Sequence, residues 1–228
     1  MLSAIAIVPS APVMVPELAS AAAAETEDMR RAALSAAAKL PGRWLAIGVA
    51  PADGVYGPGT VGTFGGYGVD VRVGLSAGAD GGPTALPLCA LIAGWLRGVA
   101  GPDAEVEVHA FRADHDDDTA VELGRQLRSQ IDSAGGDIGV LVIADGANTL
   151  TPPAPGGYDP DSVPEQAALD DALSAGDAAA LAALSDGAVG RVAYQALSGL
   201  VRTAPRSAHE LYRGAPYGVG YFVGVWTP

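Results

Sequence analysis

Apolar residues along the chain fall into a few uninterrupted runs separated by segments of helical period. Leu2–Val8 (LSAIAIV), Trp44–Ala50 and Ile138–Ala144 (IGVLVIA) carry no charge at all. Short uncharged runs of this kind read as strands buried on both faces. Glu105–Phe111 instead alternates Glu, Val, Glu, Val, His, the pattern of a half-exposed edge strand. Asp70–Val73 reads as a short strand and Val219–Trp226 as a closing one. Between the strands the period changes. Pro16 and Glu17 open a helix expected to run to about Leu40, where Pro41-Gly42 stops it. Ala85–Val99 has an apolar helical face, and Thr119–Ser133 is helical with Asp118 or Thr119 as cap. Three more helical stretches lie near Pro164–Ser174, Asp177–Leu184 and Ala188–Arg202.

Buried strands alternating with amphipathic helices predict an α/β fold. We expect a single layered domain over residues 1–228, with a mostly parallel central sheet flanked by helices. Two irregular stretches, glycine-rich Pro51–Gly68 and proline-rich Asp145–Asp161, each begin at the C-terminal end of a buried strand. Ala11–Pro16 leaves the first strand at the same kind of edge. Sites in open α/β sheets lie at such ends. The ends at Val8, Ala50 and Ala144 should therefore border one cleft, lined by Ser10, Asp53, Asp145 and Asn148.

Charge narrows the ligand classes. With 26 acidic against 13 basic side chains, the chain lacks the basic stripe that a nucleic acid or an anionic membrane requires. A lone cysteine, Cys89, excludes an internal disulfide framework and a multi-cysteine zinc site. The first basic residue is Arg30, so no positive n-region precedes the first apolar run. No apolar run approaches the ~20 residues of a membrane span. A cytoplasmic protein is the expectation.

Several motifs match on paper. Gly57–Gly62 fits GxGxxG, but Pro58 interrupts it and no helix follows, so a plain loop is the better reading. Gly74–Gly78 fits GxSxG, and Ser76, Asp145 and His209 stand in the chain order of an α/β-hydrolase triad. A nucleophile elbow needs its helix at the serine. Here Ala-Asp-Gly-Gly-Pro intervenes, which favours a turn. His115 precedes three aspartates that read as a helix-capping run rather than a metal cluster. His209-Glu210 is an adjacent imidazole–carboxylate pair, either lining a pocket or ending a helix in solvent.

Four segments together resemble the class III extradiol ring-cleavage dioxygenases of the subunit-B, LigB-like type. Val8-Pro-Ser-Ala-Pro-Val-Met-Val-Pro-Glu17 is similar to the family's opening strand, which ends in Pro-His-Pro-Pro. Gly48-Val-Ala-Pro-Ala-Asp-Gly54 resembles its strand followed by Ser-Pro-His-Gly. Ala144-Asp-Gly-Ala-Asn-Thr-Leu150, continuing through Ala154-Pro-Gly-Gly-Tyr-Asp159, resembles its Gly-Asp-Leu-Ser-His-Arg-Leu segment and the proline-rich stretch beyond. Ala215-Pro-Tyr-Gly-Val-Gly-Tyr-Phe-Val223 resembles its closing Pro-Phe-Gly-Val-Gly-Tyr strand. The alanine-rich, lysine-poor composition resembles the actinobacterial branch of that family.

The resemblance implies an Fe(II) site of two histidines and a third ligand, and this chain departs from it. The first histidine's position is Ser10, the second's is Ala52 with Asp53 beside it, and the acid–base histidine's position is Asn148. Neither Ser nor Ala replaces an imidazole ligand, and Asn does not transfer protons. Asp53, Asp145, His209 and Glu210 remain for the same rim, a set suited to Mg²⁺, Ca²⁺ or Mn²⁺ rather than Fe(II). The expectation is a LigB-like protein that has lost the iron and ring cleavage. It would need no cofactor and would keep a pocket for a small molecule or partner, or run another reaction there. The alternatives are a metal-dependent dioxygenase with ligands from His209, Glu210 and Asp53, and a serine hydrolase using Ser76. Family resemblance further implies pairing into a homo-oligomer.

Overall fold

A computed structural model describes residues 1–19 and 24–228. Its centre is a seven-stranded sheet. The strands are β1 (Leu2–Val8), β2 (Arg43–Ala50), β3 (Gly54–Tyr56), β6 (Glu105–Arg112), β7 (Ile138–Ile143), β8 (Ser207–Gly214) and β9 (Tyr221–Thr227), in the order β3-β6-β2-β7-β1-β9-β8. The inner strands β6, β2, β7 and β1 are parallel. β3 pairs antiparallel on one side, and β9 then β8 on the other. Strands β4 (Val61–Thr63) and β5 (Arg72–Gly74) form a separate two-stranded ribbon.

Side chains alternate across the sheet, which divides the core into two layers. Ala6, Val8, Ala46, Leu141 and Ile143 face one side, packed by α2 (Glu27–Ala37) and α3 (Leu88–Ala100). Ile5, Ile7, Ile47, Val140 and Val142 face the other. There they meet α4 (Asp117–Ser133), α5 (Ser162–Ala175), α6 (Ala178–Ala182) and α7 (Arg191–Leu200). Every residue of β7 is buried, as its uncharged sequence requires. The α/β reading with a mostly parallel sheet between helices is what the structure shows. No helix of the described residues is long and apolar enough to cross a membrane.

Four expectations change. The helix from Pro16 toward Leu40 is instead α1 (Pro16–Ala19) and α2, and the part of it over residues 20–23 lies outside the described residues. A turn precedes α2 because the Thr26 hydroxyl donates to Val13 O (3.2 Å) and Arg30 Nε to Met14 O (2.8 Å). The alternating strand β6 is interior, since β3, drawn from the glycine-rich loop, pairs along its outer side. The cap of α4 is Asp116, whose carboxylate accepts from Thr119 N at 2.8 Å. The residues around His209 form β8, an edge strand whose exposed side chains mask the strand period.

Helices α4 and α7 touch through glycine. A methyl at Gly124 would lie 1.8 Å from Ala196 O, and one at Gly199 would lie 1.9 Å from Val121 O. Each glycine lets the facing backbone close. Gly124→Ala or Gly199→Ala should destabilise the fold by roughly 2 kcal/mol despite alanine's better helix propensity, because the helices must part. Urea denaturation checks this, and an unchanged midpoint would contradict the close packing.

Candidate functional site at the strand ends

The chain leaves the carboxyl ends of the parallel strands in alternating directions. After β1 and β2 it passes to the α2–α3 face, and after β6 and β7 to the α4–α7 face. The loops therefore part over the end of β7, between its neighbours β1 and β2. Such a parting is where open α/β sheets form a ligand crevice.

Ser10 and Asp145 meet at that parting. The Ser10 N–H donates to Asp145 Oδ1 at 2.7 Å, joining the loop after β1 to the loop after β7. Although Asp145 keeps some accessible surface, its carboxyl is enclosed by protein. Burial pushes that carboxyl up to about 7, against the opposing pull of the Ser10 amide. Beneath it the Tyr194 hydroxyl donates to Ala144 O at 3.0 Å. Tyr194 and Tyr221 are both held above the ordinary phenol range, first by burial and then by the negative charge of Asp145. The Gly190 N–H donates to Asp145 O at 2.8 Å, so the start of α7 closes the backbone from below.

A buried glutamine braces the same loop. Gln166 Oε1 accepts from Ala147 N at 2.7 Å, while its Nε2 donates to Asp170 Oδ1 at 2.8 Å. A methyl at Gly146 would lie 2.0 Å from Gln166 Oε1, and one at Gly220 would lie 2.2 Å from its Cδ. Only glycine fits at either place. Burial pushes Asp170 up to about 6, with the Gln166 amide acting in the opposite direction. Sequence reading missed Gln166, Tyr194 and Tyr221. One signal existed for the first: Gln166 shares the apolar stripe of α5 with Leu169 and Leu173.

The remaining expected residues scatter. Asp53 follows β2 but turns toward β6, accepting from Arg112 N and from His115 Nε2, each at 2.8 Å. Slight burial would raise its pKa, yet those two donors and the charges of His115 and Arg112 hold it below the usual carboxylate range. Ala52 is exposed beside it. Asn148 is half-buried in its own loop, its carbonyl accepting from Gly156 N at 2.9 Å.

His209 and Glu210 are corrected. Both are exposed on β8, four strands from β2 in the sheet order, which is roughly 19 Å at about 4.8 Å per strand. His209 also sits opposite Val225, which pairs with Ala6 in mid-β1, away from the carboxyl ends. Glu210 bonds Arg213 Nε at 2.8 Å. Asp53, His209 and Glu210 therefore cannot share one ion. Ser76 follows β5 in the separate ribbon, and Asp145 holds the Ser10 amide rather than His209, so the hydrolase triad is not assembled. Among the described residues, no three His, Cys, Asp or Glu side chains are grouped to hold a metal.

Clefts open elsewhere. One of about 570 Å³ lies between α4, α6 and α7, lined by Arg125, Ser198, Gly199 and Arg202. Another of about 560 Å³ is lined by Asp114, Asp116–Asp118 and Asp186 around Arg191. Neither borders Ser10 or Asp145.

The Asp145 environment has a measurable consequence. A carboxyl raised in the folded state contributes stability that is complete below the unfolded value near 4 and is lost as pH rises through about 7. Asp145→Asn keeps an acceptor for Ser10 and removes the charge. Its stability advantage over the parent should grow from pH 5 to pH 8, by on the order of 2–4 kcal/mol in urea denaturation. A difference independent of pH would contradict the burial of this carboxyl.

No family model and no curated protein sequence matches the chain. Its three-dimensional structure does resemble solved structures, with 18 chains matching. One is an uncharacterized protein, JW3007, from Escherichia coli K12, with a TM-score of 0.58 and 10% sequence identity, over 99% of this chain and 100% of that chain. Likeness at that identity concerns the fold alone: the whole arrangement of sheet and helices is one that a natural protein adopts end to end.

Proposed function

We propose that this chain is a LigB-like protein that has lost the Fe(II) site and ring cleavage and uses the crevice between β1 and β7 to bind a small molecule. The observation that carries this reading is the hydrogen bond between Ser10 and Asp145 at the parting of the strand-end loops. The first expected iron ligand position thus supplies a backbone amide to a carboxyl instead of an imidazole to a metal. The family's metal does not fit the residues present. Ser10 and Ala52 offer no imidazole, Asp53 is engaged by His115 and Arg112, and His209 lies on the far edge strand. The acid–base position, Asn148, cannot titrate. No step through a metal follows from this arrangement.

What the crevice offers is a carboxyl that exchanges its proton near neutral pH, with one oxygen fixed by an amide and buried phenols close by. Such a group donates a hydrogen bond to a neutral ligand when protonated and accepts one when ionised. Catechol and protocatechuate supplied with Fe(II) in air should give no yellow ring-opened product, while shifting the amide resonances of Ser10, Gly146 and Ala147 in an NMR titration. Chelator-sensitive formation of the yellow product, or no amide shift with either compound, would contradict the reading. Ser10→His with Ala52→His should take up a divalent metal that the parent does not.

A further inference from the structure

The crevice has two banks. One runs from Ser10 through Val13 to Thr26 and Glu25, tied by the Thr26 hydroxyl on Val13 O at 3.2 Å. The other runs from Asp145 to Leu150 and is bonded to the segment before β9. There Gly146 N donates to Gly220 O (2.8 Å), Gly220 N to Ala147 O (2.8 Å) and Leu150 N to Gly218 O (3.1 Å). At the base the banks are joined by Ser10 and Asp145. A second bond crosses between them: the Tyr217 hydroxyl donates to Glu25 Oε2 at 2.6 Å, between residues 192 positions apart in sequence.

Tyr217 is held there against its backbone preference. Its φ of 63° makes it the one non-glycine residue with a positive φ among those described. An L side chain adopts that region only where its surroundings impose it. Gly218 imposes it from one side: its φ is 73°, and a methyl there would lie 2.2 Å from Thr151 Oγ1 and 2.6 Å from Ala154 Cβ. The Glu25 bond imposes it from the other. Below the same turn, Thr151 Oγ1 is buried without a hydrogen-bond partner. A strained turn above an unsatisfied hydroxyl is an arrangement with something to gain from opening.

Resting on the crevice reading above, we infer that the Tyr217–Glu25 hydrogen bond is a latch across the two banks, and that its release lets the Glu25 bank part from the 215–220 turn, which stays bonded to the Asp145 bank, and admits a small molecule to Ser10 and Asp145. The latch accounts for a loop parting that is bridged both at its base and at its surface, with Ser10 and Asp145 left half-buried between. Both partners are exposed at the surface, where they can be released without disturbing either core layer.

The test is the accessibility of a thiol placed at the base. In Ser10→Cys the main-chain bond to Asp145 is kept, and the native Cys89, fully buried with its thiol pushed up to about 12, stays silent. Labelling of this variant by Ellman's reagent should be slow. Adding Tyr217→Phe or Glu25→Ala should each accelerate it about five- to tenfold with the urea midpoint unchanged, and both together should act no faster than either alone. Equal rates with and without Tyr217→Phe, or additive acceleration in the double variant, would overturn the latch. Ring-opened product from the parent would instead overturn the crevice reading and leave these rates as they are, so the two failures are distinguishable.

Discussion

The bond from the Ser10 amide to the Asp145 carboxyl ties the loops after β1 and β7 just beyond the end of their ladder, and much of the strand-end region is arranged around it. A carboxyl enclosed at the end of a fully buried strand is expensive to ionise. The chain meets that expense with one amide donor and a pKa moved toward neutrality rather than with an arginine or a metal. The glycines at 146, 190 and 220 follow from the same crowding, since each approaches a neighbour too closely for any side chain. Gln166 then satisfies the loop amide that the parting strands leave unpaired.

The sequence made the inner sheet legible because burial on both faces leaves an unambiguous mark: seven-residue runs with no charge, as at β1 and β7. Edges were harder. β3 is three residues within a glycine-rich stretch, and β8 exposes three residues in a row, His209 to Leu211, where its register shifts. Neither carries a period strong enough to stand out. Missing β3 made β6 look like an edge, and missing β8 placed His209 and Glu210 at a rim they do not reach. Strand order is a tertiary fact, and a separation of four strands cannot be read from adjacency in sequence.

The candidate site was half legible for a related reason. Ser10 and Asp145 were reachable because both follow strands whose ends were clear, and β1 and β7 pair directly. Asp53 also follows a clear strand, yet its partner His115 comes from the loop after β6, and that choice depends on how the loop after β2 folds back as β3. The resemblance to ring-cleavage dioxygenases and the likeness to solved structures bear on different matters. The first rests on short motifs whose ligand positions are altered here, and the second concerns the path of the chain.

The state of the Asp145 carboxyl reports whether the strand-end loops exclude water, and a ¹³C NMR titration of its side chain reads it directly. A midpoint near pH 7 is the result predicted for a carboxyl held out of water by the closed banks. A midpoint near the ordinary value of about 4 would mean that solvent reaches Asp145 freely, and would contradict the enclosed crevice.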